Sequence, residues 1–540
     1  MVQADHARSQ AFLTSQPVAD RAVRVSNRWV VDASIALLIA VVWCLWLAGP
    51  VRRQMPVADD TFRDAAYVEN ILAGRVLEDP SMAGFSWWYA PGGPLFYAGV
   101  SRLTGVSPIP LYRSSILWAN VLIPVGLFLL VRLYWDRATA VAALLMVWLG
   151  SRWWQTHLAM PMPSIQGLIP ALVALMVWRR ALQGKWGRPA LLGVVLAACT
   201  WHHMISAIVV SGAIGIQTLL WAVADRGGLR YGPLRSAAVA GGVCAVLIVP
   251  LAWHLLAIPW NNSAHSALAA EMDEPAYALH AATPLVIPLA VLGVILVGYR
   301  PASPTTWVLG YLVVGLIGQG AGYLHRMWQD LPLPVLLPHE FQWHGQLAVG
   351  ILAGVGLIGL SRWIAGRLKR RLPARMVTVV AAALLMVLVV APDRLRAIDR
   401  VDDYWTSGRC SPDVAATMEW VRSSTEITDV FVCRYLPAYY DLVGWTGRKL
   451  ILMPEARANI AADVLQRRRD LHRLETTTDP EEFLAVAVDR YGAGYAYLTS
   501  NKKNLLERWS GWDIFETAYR SPNGERTILR IKDNRVLRPE

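Results

Sequence analysis

The stretch Asp59–Tyr97, DDTFRDAAYVENILAGRVLEDPSMAGFSWWYAPGGPLFY, lies between two apolar runs and combines acids, a candidate helix and a cluster of aromatic residues. Asp60, Asp64 and Tyr67 stand at positions i, i+4 and i+7. A helix that begins at the acid pair therefore carries all three on one face, with Arg63 beside them. We expect this stretch to carry the chemistry of the protein, while the rest of the chain forms a membrane scaffold around it.

Two interpretations of this stretch are open. Asp59 or Asp60 suits the N-cap of a helix on a wet surface, and Gly74 suits its end. Acids close to a membrane are costly, however, which favours a functional role for them. Aromatic rings in the Gly- and Pro-rich second half either stack on a sugar or lie at the membrane interface. The substrate-binding candidates here are Asp64, Tyr67, Trp87, Trp88 and Tyr89.

The composition of the whole chain indicates the environment of this stretch. The chain has 540 residues, of which 55% are hydrophobic and only 17% are charged. These values exclude an ordinary soluble domain and indicate an α-helical polytopic membrane protein. The net charge of +12 could suggest a nucleic-acid partner. The basic residues, however, cluster between apolar runs, as in cytoplasmic loops of membrane proteins, so we expect no nucleic acid.

The basic clusters set the expected topology. If each is cytoplasmic, an even number of membrane crossings joins it to the next. The run from Arg188 to Arg226 is too long for one crossing and must turn back at Trp201, His202 and His203. Counting in this way gives about eleven spans. The clusters lie at residues 132–137, 179–188, 226–235, 300 and 362–375.

Three regions follow from this count. Residues 1–28 form a cytoplasmic tail, and the apolar run from Trp29 to Gly49 is long enough to remain as a first span rather than a cleaved signal. Residues 29–391 form the transmembrane domain, whose first outer loop covers residues 51–113. Residues 392–540 form an extracytoplasmic domain. We therefore expect a multi-pass protein of the cell (cytoplasmic) membrane with its N-terminus inside.

Histidines concentrate on the expected outer side. A single histidine can have many structural roles. Because these histidines share the outer side of the membrane, we expect some of them to function together. None shows the H-x-x-x-H spacing of a zinc helix, so we propose no zinc, and a divalent metal stays an open possibility. The histidines at or near the outer face are His157, His202, His203, His265, His280, His325, His339 and His344.

A second candidate stretch is Tyr323–Gln346, YLHRMWQDLPLPVLLPHEFQWHGQ. Its polar side chains precede or enter a long apolar span, where charge is costly unless it faces a cavity or a partner. One interpretation is an interfacial helix cap, and the other is an anion clamp for a phosphate. The candidates are His325, Arg326, His339, Glu340 and His344.

After Ala391 the pattern changes to short β runs and helices, which predicts an α/β domain of about 145 residues. Ser411 with Pro412, and Asp479 with Pro480, are helix-start pairs. Strands are predicted at 430–433, 449–453 and 495–500, and a turn at Asn523 and Gly524 joins two final strands. This domain has no Gly-rich phosphate loop, so we assign it no nucleotide. It could cover the active site, hold an acceptor chain or act as a passive folding cap.

Cysteines are few, five in all. Cys44, Cys199 and Cys244 fall in apolar spans and fit as small apolar fillers. Cys410 and Cys433 both fall in the outer domain and flank one predicted helix. Because that compartment is oxidising, we predict a disulfide between them.

The first loop resembles that of the C-type integral-membrane glycosyltransferases, which use polyprenyl-phosphate sugars. An acid follows span one, then a Y-x-x-N-x-L-x-G helix from Tyr67 and a W-Y-x-P-G-x-P-L segment from Trp88. The layout of spans, long first loop and final α/β domain is also similar. In this family the acid at the head of the first loop is the catalytic base, which corresponds to Asp60, or to Asp59 one residue earlier.

The resemblance implies a polyprenyl-phosphate sugar as donor, a glycan, lipid or protein acceptor, and contact with membrane lipids. Asp60 would take the proton of the acceptor hydroxyl, and the reaction would invert the anomeric carbon. Where relatives carry an Arg near the donor phosphate, LPHEFQWH has Glu340 and His344. No second acid lies between Ser151 and Ser164, which argues against a metal-bridged pair of acids. The phosphate candidates are Arg63, His325, Arg326, His339 and His344, and the further substrate candidates are His202 and Glu340.

Other function classes are open. A transporter would show matched repeats with broken helices, and none is visible in the sequence. A non-catalytic assembly protein could share the outline. A lipid-linked oligosaccharide ligase is the nearest enzymatic alternative, because it would transfer a preformed glycan rather than one sugar.

Overall fold

The computed structural model describes residues 18–532 apart from several gaps. Apolar helices fill most of the chain up to residue 368, and a small α/β domain follows from residue 411. The gaps are residues 54–58, 151–153, 155–157, 159, 183–186, 224–230, 260–285, 300–302, 328–337, 369–379, 381–382, 384–410, 434–435 and 454–457.

Fourteen helices are described before residue 369. They are α1 (Val18–Arg53), α2 (Asp59–Leu72), α3 (Gly92–Thr104), α4 (Pro108–Trp118), α5 (Leu122–Tyr134), α6 (Arg137–Gly150), α7 (Pro163–Gln166), α8 (Leu168–Ala181), α9 (Gly187–His202), α10 (Met204–Val223), α11 (Tyr231–Leu256), α12 (Val286–Gly298), α13 (Trp307–Met327) and α14 (Pro338–Leu368).

Among the described residues, five segments are long and apolar enough to cross a membrane. The chain is thus a membrane protein, as its composition predicts. The count of about eleven spans is not confirmed. The last predicted span, from Val377 to Val390, falls almost wholly outside the described residues. The five segments are Trp29–Ala48, Pro108–Tyr134, Met204–Val223, Gly232–Leu256 and Glu340–Arg367.

The predicted break at residues 201–203 is present, because α9 ends at His202 and α10 begins at Met204.

Close helix packing elsewhere depends on small residues of α14, which packs against α6, α12 and α13. A Cβ at Gly354 would lie 2.4 Å from the backbone of Ala143, and one at Gly356 would lie 2.0 Å from the carbonyl oxygen of Leu289. Glycines therefore let the middle of α14 pack closely against α6 and α12.

The C-terminal domain contains one five-stranded sheet in the order β2-β1-β3-β5-β4. Strand β1 runs parallel to β2 and β3, while β5 runs antiparallel to β3 and β4. The elements are α15 (Pro412–Ser424), β1 (Val430–Val432), α16 (Leu436–Thr446), β2 (Lys449–Leu450), α17 (Val464–Thr476), α18 (Pro480–Leu484), β3 (Ala493–Thr499), α19 (Lys503–Ser510), β4 (Phe515–Arg520) and β5 (Arg526–Ile531).

Local signals of this domain are confirmed. Ser411 accepts a hydrogen bond from the Val414 amide, and Asp479 accepts one from the Glu481 amide, so both cap their helices. Gly524, at φ 73°, forms the predicted turn between β4 and β5. Cys410 lies outside the described residues, so the disulfide with Cys433 stays a prediction.

The C-terminal domain packs directly on the first loop. Ala66 of α2 and Met82 belong to the same buried apolar cluster as the domain's strands. A Cβ at Gly444 of α16 would lie 2.4 Å from the ring of Phe62, so the two helices touch at this glycine. The amide of Leu450 donates to the carbonyl oxygen of Ser81. The first loop is therefore held between the membrane helices and this domain.

Candidate active site

Helix α2 carries an arginine between two carboxylates. Arg63 Nη1 lies 3.3 Å from Asp60 Oδ1, and Arg63 Nη2 lies 3.2 Å from Asp64 Oδ1. The side chain of Asp64 is fully buried, whereas that of Asp60 is 23% exposed. The structure confirms the helix that was predicted to begin at Asp59 and Asp60. It also confirms that Asp60 and Asp64 lie beside Arg63. Asp60 is thus the accessible carboxylate of the pair, and Arg63 fixes its orientation.

Burial changes the electrostatics of this helix face. Desolvation raises the pKa of Asp64 to about 7, although the neighbouring Arg63 cation opposes the rise. Asp64 Oδ2 has no hydrogen-bond partner among the described residues, which fits a carboxyl group that holds a proton. Despite its burial, the two carboxylates hold the pKa of Arg63 above its ordinary value, so the cation persists. The two acids therefore differ in character: one is buried and readily protonated, the other accessible.

This difference predicts a pH dependence of stability. Between pH 3.8, the ordinary pKa of Asp, and about 7, the folded protein keeps the Asp64 proton that the unfolded chain has released. The free energy of unfolding therefore falls by up to about 4 kcal/mol as the pH rises through this window. Above the window it is constant. The variant Asp64→Asn mimics the protonated form. In detergent, its melting temperature should exceed that of wild type by a margin that grows from pH 5 to about pH 7 and then stays constant.

The exposed acid Asp513 provides the control, since Asp513→Asn should follow the wild-type curve at every pH. Parallel pH curves for wild type and Asp64→Asn would contradict the assignment of a near-neutral pKa to Asp64.

The aromatic segment after α2 packs in two ways. The Arg63 guanidinium lies over the ring of Tyr89, 4.3 Å from its centroid, and Tyr89 is partly exposed. Trp87 is buried and stacks on His254 of α11 at 4.1 Å, and its carbonyl oxygen lies 2.8 Å from His254 Nε2. Trp87 is therefore an anchor of the loop, whereas Tyr89 borders the acidic face and the partly exposed Trp88 packs edge-on against the Tyr89 ring.

His202, at the end of α9, lies against the start of α3. A Cβ at Gly93 would lie 3.3 Å from the His202 ring, and one at Gly92 would lie 2.5 Å from the carbonyl oxygen of Trp201. Only glycine permits this approach, which explains the Pro-Gly-Gly-Pro sequence of the first loop. Tyr67 is buried in the same cluster as Trp87.

A buried polar chain begins next to this junction. His203 Nε2 lies 3.5 Å from Glu340 Oε1, and His203 Nδ1 lies 2.9 Å from Ser206 Oγ. His344 Nε2 lies 3.2 Å from the same hydroxyl, and His344 Nδ1 bonds to the hydroxyl of Tyr311. Glu340 and His344 were candidates from the sequence. His203 was named from the sequence as a turn residue and as one of the outer-face histidines, without a specific partner, and Ser206 was not named. Their contacts with Glu340 and His344 join residues more than 130 positions apart.

Several candidates fall where the structure gives no side chain. The side chains of Asp59, His325, Arg326 and His339 lie outside the described part, so their roles stay predictions. The described residues contain no group of three or more His, Cys, Asp or Glu side chains suited to a metal ion. Asp60 and Asp64 of α2 are bridged by Arg63, whose positive charge disfavours a divalent ion between them.

Solved structures share this architecture. The apo oligosaccharyltransferase of Archaeoglobus fulgidus superposes with a TM-score of 0.59 at 12% identity, over 92% of this chain and 74% of that one. ArnT from Cupriavidus metallidurans bound to undecaprenyl phosphate gives 0.52 at 13% identity, over 94% and 98%. The chain has the C-type glycosyltransferase fold. The resemblance predicted from the first loop is thus confirmed at the level of the fold.

A third C-type structure is the mycobacterial arabinofuranosyltransferase AftD. It superposes with a TM-score of 0.53 at 16% identity, over 94% of this chain but 42% of that longer one. No protein-family model matches the chain, and no curated protein sequence does. The comparison of structures therefore supports the C-type fold where the comparisons of sequence find no match.

Proposed function

We propose that this protein transfers a sugar from a polyprenyl-phosphate donor to a glycan, lipid or protein acceptor at the outer face of the membrane. The observation that carries the proposal is Asp60. It is the accessible carboxylate at the head of the first-loop helix, oriented by Arg63, in a chain with the C-type fold. The solved ArnT of this fold binds undecaprenyl phosphate, which supports a donor of that class.

The proposed reaction is a single inverting displacement. Asp60 takes the proton of the acceptor hydroxyl while that oxygen attacks the anomeric carbon. The bond between this carbon and the phosphate oxygen breaks, and polyprenyl phosphate leaves with the electron pair. Attack from the face opposite the phosphate inverts the anomeric configuration. General base catalysis of this kind contributes about 10² to 10⁴ in rate.

The remaining groups are given roles by their contacts. Arg63 is shared between Asp60 and Asp64, so we assign it to orienting the base. His344 uses both ring nitrogens inside the protein. We therefore place the departing phosphate against His325, Arg326 or His339, where cationic donors would stabilise its charge. Trp88 and Tyr89, partly exposed beside the acids, would stack on a sugar.

A second candidate is transfer of a preassembled glycan. The fold is shared with an archaeal oligosaccharyltransferase, and its solved complex with an inhibitory peptide and a dolichol-phosphate gives a TM-score of 0.56. The size of the transferred glycan separates the two candidates.

The test uses purified full-length protein in detergent. Labelled polyprenyl-phosphate mannose, glucose and arabinofuranose, and a lipid-linked oligosaccharide, are offered with membrane glycan, lipid and peptide acceptors. Transfer of one sugar by wild type, with an inverted product, is the expected result. Transfer of the oligosaccharide alone would favour the second candidate. No transfer from any donor would overturn the proposal.

A further inference from the structure

The buried relay is the chain Tyr311–His344–Ser206–His203, which ends at Glu340. Its members come from α13, α14 and α10 and from the residue between α9 and α10. All five residues are buried, with Glu340 8% exposed and Ser206 fully enclosed. Buried polar groups are costly unless they are satisfied, so a connected chain of this length calls for an explanation beyond packing.

One backbone amide fixes the direction of the relay. The amide of Ser206 donates to His203 Nδ1 at 3.3 Å. An amide can only donate, so Nδ1 carries no proton, and the ring proton of His203 is on Nε2, facing Glu340. The Ser206 hydroxyl then also donates to Nδ1 and accepts from His344 Nε2. Tyr311 in turn donates to His344 Nδ1. The hydrogen bonds of the relay thus run toward His203, whose Nε2 lies 3.5 Å from Glu340 Oε1.

The relay leaves part of Glu340 available. Oε1 faces His203, and the described residues supply no hydrogen-bond donor to Oε2. The side chain lies at the first turn of α14, next to Phe341, whose ring packs against Gly318 of α13. Oε1 of Glu340 therefore faces the relay, and Oε2 has the capacity to accept further hydrogen bonds.

The negative charge of Glu340 also reaches Tyr89 of the candidate active site. The pKa of the Tyr89 hydroxyl lies well above its ordinary value, first because of burial and next because of the negative charge of Glu340. Asp60 raises it further, whereas Arg63, whose guanidinium lies over the Tyr89 ring, lowers it. The geometry gives the same neighbourhood: His203, which faces Glu340, directly follows His202, whose ring lies against Gly93 of the first loop. Glu340 therefore lies close to the contact between α9 and the first loop.

We propose that Glu340 recognises the sugar of the donor by accepting hydrogen bonds from its hydroxyl groups, with His203, Ser206 and His344 as positioning residues. This inference rests on the proposed function. A carboxylate repels phosphate, so Glu340 suits the sugar and not the leaving group. A carboxylate with free acceptor sites suits neighbouring hydroxyls, and the occupant is accordingly a polyhydroxylated ring.

The experiment measures lipid binding to the full-length protein in nanodiscs, which needs no catalysis. The probes are undecaprenyl phosphate without sugar and the mannose, glucose and arabinofuranose forms of polyprenyl phosphate. For the sugar lipid that wild type binds most tightly, Glu340→Gln should weaken binding about 10- to 100-fold. Binding of bare undecaprenyl phosphate should stay unchanged. The exposed Glu419→Gln is the matched control and should leave both affinities unchanged.

The outcomes separate this inference from the proposed function. Selective loss of the sugar lipid in Glu340→Gln supports the inference even if wild type transfers nothing. Equal loss of both lipids, no loss of either, or a wild type that binds bare and sugar-bearing lipids equally would overturn it, whether or not sugar is transferred.

A variant within the relay tests positioning. Ser206→Ala interrupts the chain without touching a ligand, and its thermal stability is recorded first. We expect a loss of sugar-lipid affinity of about 2- to 10-fold with unchanged affinity for bare undecaprenyl phosphate. A purely structural role would change both affinities together, or neither, and would contradict the positioning role of the relay.

Discussion

The variant Asp60→Asn is expected to remain folded and to lose about 10²- to 10⁴-fold in the rate of sugar transfer. An asparagine oxygen can still accept from Arg63, so the local contact at Asp60 is kept. The amide cannot take a proton, so the acceptor hydroxyl would have to attack without a base. The measurement is kcat with the donor and acceptor that wild type uses, alongside melting temperature and donor affinity.

Two neighbouring acids provide matched controls for this prediction. Asp64→Asn changes a fully buried side chain, so we expect transfer near pH 7 to stay within a few-fold of wild type. Asp59→Asn changes the preceding acid at the start of α2. Loss of transfer only in Asp59→Asn would move the base by one residue. Full transfer by both Asp59→Asn and Asp60→Asn would remove general base catalysis by this acid pair.

Local signals in the sequence predicted much of the architecture. The acid pair and Gly74 marked α2, which spans Asp59–Leu72 and is followed by Gly74 at φ 81°. Capping residues and turn glycines act within a few positions, so they can be found without knowledge of the fold. The aromatic segment was also marked by its composition, although its division into the anchor Trp87 and the partly exposed Tyr89 was not.

Contacts between distant residues could not be predicted in this way. His203 faces Glu340, and Lys449 of β2 bonds to Asn70 of α2, across separations that no helical or strand period encodes. The α/β domain was predicted, but its docking on the first loop was left among several alternatives. Sequence periodicity gives the buried face of an element and not its partner, so the relay and the domain interface required the structure.

The variant Asp79→Ala is expected to cost about 3–5 kcal/mol of stability, because it removes the acceptor at the centre of that interface. The Asp79 carboxylate is 1% exposed. It accepts from the amides of Ser81 and Met82 and from the Ser81 hydroxyl at 2.8–2.9 Å. Asn459 of the C-terminal domain donates to its second oxygen at 2.8 Å. Alanine would leave these four donors buried without their acceptor.

A buried cation adds to this cost. Lys449 donates to the carbonyl oxygen of Asp79 at 2.5 Å and to Asn70 Oδ1 at 2.9 Å. Burial lowers the pKa of Lys449 to about 8, and the Asp79 charge opposes this shift. Without that charge the ammonium group is less favourable still, and the contact between domain and loop weakens. Asp79→Asn keeps an acceptor for Ser81 and Met82, so it should fall between wild type and Asp79→Ala.

The consequence for function follows from where Lys449 acts. It bonds to Asn70, and Arg422 pairs with Glu69 at 3.1 Å, so the domain holds the last turn of the helix whose first turn carries Asp60. Asp79→Ala should therefore lower melting temperature, increase protease cleavage at the first loop, and reduce kcat more than donor affinity. The exposed Asp513→Ala is the control and should change none of these. A destabilised Asp79→Ala protein with wild-type kcat would show that the domain is a passive folding cap.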